Sequence, residues 1–346
     1  MILIDDNVTP KFNLANEDTR RKTKKSKKCD DKKNKISFPE LKVSHAKSFL
    51  EYFGKEGKNI SADKLYEIAI SKEMMDKYGP YFSDSFDKKN VEIPPENFIA
   101  RHQFNPILRR KLVDWMIEIF YKLDSDENTF FAAVRIMDKF IWKCPSIITE
   151  KSIYKVGVTC IYIASKTYDY YPIKMKELIH KISHDSLQEQ IVKKLEGMIL
   201  TAINFDIMSP GPSEFIQFLL YDLYMNNKGI ISRYRLRNII DIVENCAIWT
   251  AKMCYHFEKY SSKSPNHIAV ACLFIGYEMA KDNKHLNSNE KQFFVEWLEY
   301  LLQKIGINEE GKNYINNLYK DIYQTFIKFK KMSYKNLVKF HYLFFE

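Results

Sequence analysis

From Asn105 onward the chain alternates between apolar positions at three- and four-residue spacing and short polar or Pro-containing breaks, a pattern that predicts helices. Leu108, Leu112, Trp115, Met116 and Ile119 form the first such stripe, and Asn105-Pro106 marks its start, with Pro suited to the first turn. Phe130, Val134, Met137 and Ile141 form the second, which Pro145 ends. The third stretch, residues 153–166, reads IYKVGVTCIYIASK. Between Val156 and Ala164 almost every residue is apolar or small, which predicts a helix buried on all sides and too short to span a bilayer. Thr149 is its expected cap, and Lys166 marks where it reaches the surface. A shorter helix is expected over 174–182. A fifth is expected from about Ser186 to Ile203, with Leu195, Met198 and Ile199 inward.

The third stretch has a distant copy. Residues 268–278 read IAVACLFIGYE, and aligning Val156 with Ile268 also aligns Val158 with Val270, Cys160 with Cys272 and Ile163 with Ile275. The first copy ends in Lys166, whereas the second ends in Glu278. Ser209-Pro210-Gly211-Pro212 is a sharp break between the two halves. A second set of segments follows it, over 213–225, 232–257, 265–281, 290–305 and about 312–329. The expected fold is all-α: two tandem five-helix domains, 105–208 and 209–335, each built on a buried central helix. Ahead of them stand an arm (1–60) and a region of one amphipathic helix, Ser61 to Lys77, plus a connector (61–104). Residues 336–346 form a tail rich in Lys, Tyr and Phe.

With 346 residues, 45% of them hydrophobic, and only 10 Gly and 11 Pro, the chain suits two helical domains rather than a turn-rich β architecture. The net charge of +10 is unevenly placed. Residues 20–35 hold ten Lys or Arg against Asp30 and Asp31, an excess of +8, which leaves about +2 for the rest. The basicity therefore belongs to the arm, and a nucleic-acid-binding body is not expected. The run from Arg20 to Lys28, RRKTKKSKK, reads either as a solvated tail or as a nuclear localisation signal, with distribution between nucleus and cytoplasm. The six scattered cysteines make no CxxC pair and read as small buried hydrophobes in a reducing compartment. MILI, followed at once by Asp5 and Asp6, does not make a secretory leader, and no membrane span is expected.

Catalytic signatures are absent. There is no GxxxxGK[ST], GxGxxG, HExxH or GxSxG, so neither a phosphate-cradling loop nor a nucleophile elbow can be argued. His180 and His184 are four apart but lack a general-base Glu and a third ligand, so no metal site is assigned. No cofactor is implied, and an enzyme is not expected.

LRRKLVDWM (108–116), IMDKF (136–140), IASK (163–166) with Tyr171-Pro172 after it, LEGMIL (195–200) and INFDI (203–207) together resemble the cyclin box of A- and B-type cyclins, in order and spacing, over about a hundred residues. The second half resembles the weaker C-terminal cyclin fold, and the 61–77 helix resembles the N-terminal helix that cyclins lay on their kinase. The resemblance implies a regulatory subunit that binds and activates a cyclin-dependent protein kinase in cell-cycle control, with the kinase supplying all the chemistry. It also implies roles for matching residues. Arg109 and Asp138 match a buried ion pair, for which a planar guanidinium is well suited. Lys166 and Glu196 match the charged pair presented to the kinase, and Leu200, Phe205 and Ile207 match apolar kinase contacts. Leu108, Leu112, Trp115 and Glu118 match a patch that docks substrate proteins.

The departures are as specific. Thr167 stands where an aromatic is common, and Tyr168-Asp169 where family members carry an acidic pair. In the docking patch Lys111 replaces an apolar residue and Tyr154 a polar one, and a cation there would repel the Arg of an Arg-x-Leu substrate. No degradation signal is evident in the arm. Two alternatives remain at this stage: a cyclin-fold scaffold that activates no kinase, and a protein like the two-repeat transcription initiation factor. The latter would require a basic body and a zinc ribbon, and neither is present. The placement of the excess charge generates one prediction: removing residues 1–44 lowers nuclear accumulation, measured by imaging a tagged chain, and leaves the melting temperature unchanged. An equal nuclear level in the truncated protein would reject the localisation signal.

Overall fold

In the computed structural model, residues 92–331 are described, apart from 228–229, 283–285 and 305–306. Among them no β-strand forms, and a lone bridge joins Gln103 to Thr149. The fold is all-α. The first repeat comprises α1 (Pro106–Lys122), α2 (Glu127–Lys143), α3 (Glu150–Tyr168), α4 (Met175–Glu177), which runs into a π-turn over Leu178–Ile182, and α5 (Glu189–Ala202). The second comprises α6 (Pro212–Asn226), α7 (Arg233–Tyr255), a single turn α8 (Glu258–Ser261), α9 (Pro265–Asp282), α10 (Ser288–Lys304) and α11 (Glu309–Lys331).

Local chemistry sets the helix starts. Asn105 Oδ1 accepts from the Ile107 amide at 2.9 Å and Asp126 Oδ1 from the Asn128 amide at 2.8 Å, so α1 and α2 begin with capped amides. At α3 the Thr149 amide donates to Ser152 Oγ at 2.8 Å, and at α6 the Gly211 amide donates to Glu214 at 2.9 Å. The fifth helix starts at Glu189 rather than near Ser186. His184 and Asp185 sit at φ of 49° and 57°, and this left-handed pair holds the chain in a turn before the helix begins.

The repeated stretches are the two central helices. Val158, Thr159, Cys160, Ile161 and Ala164 of α3 have no exposed surface, nor do Ile268, Ala269, Cys272 and Ile275 of α9. Helix α3 packs against α1, α2 and α5, and α9 against α6, α7 and α11. At Gly276 a Cβ would stand 2.7 Å from the Val243 carbonyl oxygen, so α9 lies on the backbone of α7 and only Gly fits.

The core of the first repeat extends back beyond Asn105, which the helical pattern did not indicate. Phe98, Ile99 and Phe104 are buried. Arg101 of the same segment donates to the carbonyls of Ile141 at 3.1 Å and Cys144 at 2.6 Å, capping the end of α2. A connector without helical periodicity hides its apolar anchors from a periodic reading. The expected 61–77 helix, the arm 1–60 and the tail 336–346 lie outside the described residues.

The repeats are joined through Arg109, 1% exposed. Its Nε donates to Asp138 Oδ1 at 2.8 Å and its Nη2 to Oδ2 at 2.6 Å, tying α1 to α2. Nη1 donates to the carbonyls of Tyr255 at 3.0 Å and His256 at 3.3 Å, and Nη2 also to Ser261 Oγ at 2.9 Å. The guanidinium thus neutralises Asp138 and fills the negative C-terminal end of α7. Around it the Phe131 and Tyr255 rings meet edge-on at 5.1 Å, Lys252 pairs with Glu127, and Ser213 donates to Asn128 at 2.5 Å. Arg109→Ala leaves Asp138 buried and unpaired, a loss of about 3–5 kcal/mol. At roughly 2–4 °C per kcal/mol the midpoint should fall by about 6–20 °C in a thermal melt followed by circular dichroism. A wild-type melt would show that the pair does not hold the repeats.

Candidate functional site

The last turn of α3 and the exposed side of α5 form one ledge. Lys166 ends the apolar helix, and its Nζ pairs with Glu196 of α5. The ammonium also lies 4.4 Å from the centre of the Tyr162 ring, a cation–π contact. The Lys166 side chain is 39% exposed and Glu196 18%, so the two charges reach water together on one face. Their contact preorganises the pair but contributes little to folding, about 0–1 kcal/mol for an exposed pair. One turn along α5, four residues from Glu196, stands half-buried Leu200.

Beyond α5 the chain enters the loop 203–209. The Phe205 side chain is 65% exposed, and both Asn204 (φ 52°) and Phe205 (φ 56°) are left-handed. For a bulky residue such a φ is a strained outlier, and it persists only where neighbours over-determine it. They do so here. The Phe205 amide donates to the Leu200 carbonyl at 2.9 Å, and Ser209 Oγ to Asp206 at 2.6 Å. From α2, Arg135 donates to the Ile207 carbonyl at 2.8 Å and buried Lys139 pairs with Asp206. From α3, Tyr168 Oη donates to the same Ile207 carbonyl at 3.3 Å. Burial holds the Lys139 ammonium below its usual range despite the partner. Burial alone would raise the Asp206 carboxyl, but the bonds from Lys139 and Ser209 outweigh it and hold it low, as suits a carboxylate still in touch with water. Phe205 is therefore presented outward by a pinned loop. Ile207 differs, since its side chain packs partly against the core and its carbonyl is the anchor.

Two aromatic residues that the motif reading did not single out as contacts extend the ledge. Tyr170 and Tyr171, just past α3, are 88% and 86% exposed, with ring centres 4.7 Å apart and edge-on. Tyr168 and Asp169 do not present a pair of charges to solvent. Tyr168 is half-buried over the loop, and Asp169 turns inward to accept from Thr129 Oγ1 at 2.6 Å and Ser125 Oγ at 3.2 Å.

The four residues matched to a docking patch lie on α1, but not all at the surface. Leu112 is buried, its side chain filling the space a Cβ on Gly157 would need. It is core, because α1 approaches α3 at that glycine. Leu108 and Trp115 are half-buried, the Trp115 ring lying 5.5 Å from that of Tyr154, and Glu118 pairs with Lys122 at 2.7 Å. Lys111 is exposed. His180 contacts Asp185 at 2.5 Å, and among the described residues no group of three or more His, Cys, Asp or Glu is placed to hold a metal ion. No described helix is long and apolar enough to cross a membrane.

The chain is thus an all-α protein of two packed repeats with a charged and aromatic ledge on the first. Residues 83–208 match the family model described as "Cyclin, N-terminal domain". Cyclin-B2-3 of Arabidopsis thaliana is 26% identical over 204 residues, covering 55% of this chain and 47% of that protein. The G2/mitotic-specific cyclin cig1 of Schizosaccharomyces pombe is 24% identical over 173 residues, covering 49% and 40%. The match therefore spans about half the length, or less, of these relatives. The X-ray structure of a viral cyclin from herpesvirus saimiri has the same fold, with a TM-score of 0.53 at 17% identity, covering 74% of this chain and 97% of that one. The chain is thus similar to cyclins, in sequence over residues 83–208 and in fold over 74% of its length.

The pinned loop generates a prediction. Phe205→Gly relieves left-handed strain and removes an exposed ring, so its melting midpoint stays within a few degrees of wild type. Asp206→Ala strips the buried Lys139 of its partner and should cost about 3 kcal/mol. Equal melts for the two variants would show that the Lys139 contact does not hold the loop.

Proposed function

We propose that the protein is a non-catalytic regulatory subunit that binds a cyclin-dependent protein kinase through the ledge of Lys166, Glu196, Leu200 and Phe205, and activates it in cell-cycle control. The observation that carries this is the ion-paired Lys166 and Glu196 reaching solvent on one face, beside an aromatic side chain held outward at a strained backbone position. The match of residues 83–208 to the cyclin N-terminal domain and the cyclin names of the relatives support a kinase partner. Ile207 serves the ledge from behind, as the anchor of the loop. The exposed Tyr170 and Tyr171 add apolar contact area where the family's acidic pair is missing, which points to a partner surface less basic than an acidic pair would select. Through this face the protein prefers the kinase conformation in which the regulatory helix and activation segment are in place, and that preference is the whole of its effect on phosphoryl transfer. The arm, with RRKTKKSKK, supplies nuclear entry in this reading.

The altered docking patch supports a narrow role in substrate choice. With Leu112 inside the core and exposed Lys111 beside Trp115, the surface disfavours segments that lead with Arg.

The double change Lys166→Ala with Glu196→Ala tests the proposal. Circular dichroism and melting midpoint should stay near wild type, since exposed pairs contribute little. A partner's groups left buried opposite the truncated charges should cost on the order of 2–5 kcal/mol, so binding to the co-purifying kinase weakens tens-fold or more and its activation is lost. Glu196→Lys alone should do nearly as much by repulsion. Glu278→Ala, at the matching end of α9, should leave binding intact. Normal activation by the double variant would move the interaction elsewhere and favour a scaffold that activates no kinase.

A further inference from the structure

The second repeat carries an apolar groove, away from the ledge, whose floor is the edge of the core. Helices α9, α10 and α11 diverge to leave a trough of about 430 Å³. Phe274, Val295, Leu298, Leu302, Ile315 and Tyr319 line it. Val295 is 44% exposed, and Phe274, Leu302 and Tyr319 are half-buried. The rim carries Glu299 and Glu278, the latter paired with Lys281 at 2.9 Å, and Lys312, paired with Glu309 at 2.6 Å, so Glu299 and Glu309 leave it net acidic. Such a trough suits a segment that is apolar with interspersed positive charge.

We propose that the groove is the docking site of the chain's own C-terminal segment, residues 332–346. Three observations converge on that occupant. The first is composition: the segment reads MSYKNLVKFHYLFFE, with nine of its fifteen residues apolar or aromatic, and Lys335 and Lys339 among them. Its positive charges match the acidic rim, and its aromatic cluster needs cover from water. The second is continuity. Tyr319, Tyr323 and Ile327 are half-buried at four-residue spacing on α11, with the Tyr319 and Tyr323 rings stacked at 5.9 Å. This stripe runs from the groove to the end of the helix, where the segment begins. The third is reach. Tyr319 lies about 18 Å from Lys331 along the helix axis at 1.5 Å per residue. The segment can extend about 45–50 Å, enough to turn back along the stripe and fill the trough. Tethering gives it an effective concentration on the order of millimolar, so a modest intrinsic affinity suffices.

The test compares the full chain with one ending at Lys331, by hydrogen exchange and with a fluorescein-labelled peptide of residues 332–346. Truncation should raise exchange at least tenfold at the amides of residues 295–302. The peptide should bind the truncated chain at least tenfold more tightly than the full chain, and restore protection when added. Val295→Glu in the full chain should reproduce the exchange pattern of truncation while leaving the helical circular dichroism unchanged, which separates loss of docking from loss of folding. Unchanged exchange in both variants, or equal peptide binding by the two chains, would overturn the proposal. So would a full-length dimer, seen by light scattering, that truncation converts to monomer, because the groove would then hold a second copy.

Discussion

The structure depends on one buried guanidinium. Arg109 binds the two carboxylate oxygens of Asp138 and also reaches Ser261 and the carbonyls that close α7. A group with five donors in a fixed plane can satisfy that many acceptors at once, where a Lys would leave some of them orphaned. It turns two helical bundles, each able to bury a core of its own, into repeats with a set geometry. The Phe131–Tyr255 edge and the Lys252–Glu127 pair both require α7 to arrive where Arg109 holds it, and the Ser213–Asn128 bond adds a tie from the start of α6 to α2.

The second constraint is local and stands at the ledge. A left-handed Phe would relax in an isolated loop. Here Lys139 and Arg135 from α2 and Tyr168 from α3 hold the chain on either side of it. The interior side chains of the first repeat therefore determine where an exposed ring points. Stability and the outward placement of the Phe205 ring are coupled through those anchors, whereas Lys166 and Glu196 are nearly uncoupled from folding. A surface ion pair can vary without endangering the core, which is consistent with the role proposed for it.

Much was legible in the sequence for physical reasons. The three- and four-residue spacing of apolar residues is a direct consequence of helical geometry, so the helices of both repeats, their breaks at Pro145 and Ser209-Pro210, and the caps at Asn105 and Thr149 could be read before any coordinates. The nearly continuous apolar run around Cys160, with its copy around Cys272, pointed to a helix buried on all sides, with its charged last turn meeting the surface at Lys166. The concentration of positive charge in residues 20–35 is a property of the sequence alone.

Tertiary packing decided the rest. Phe98, Ile99 and Phe104 have no period, and only the folded chain shows them in the core. Leu112 shares the spacing of half-buried Leu108 and Trp115, yet it is the one fully covered, because the space it fills depends on the absence of a side chain at Gly157, 45 residues away. Lys139 and Asp206 stood in view within IMDKF and INFDI, but a contact across 67 residues leaves no local signal. The outward presentation of Phe205, the inward turn of Asp169 and the groove beside α11 likewise depend on how helices meet. The sequence by itself determined which segments become helices and which faces they bury; only the packing of those faces decided which of the remaining side chains stand together at the surface.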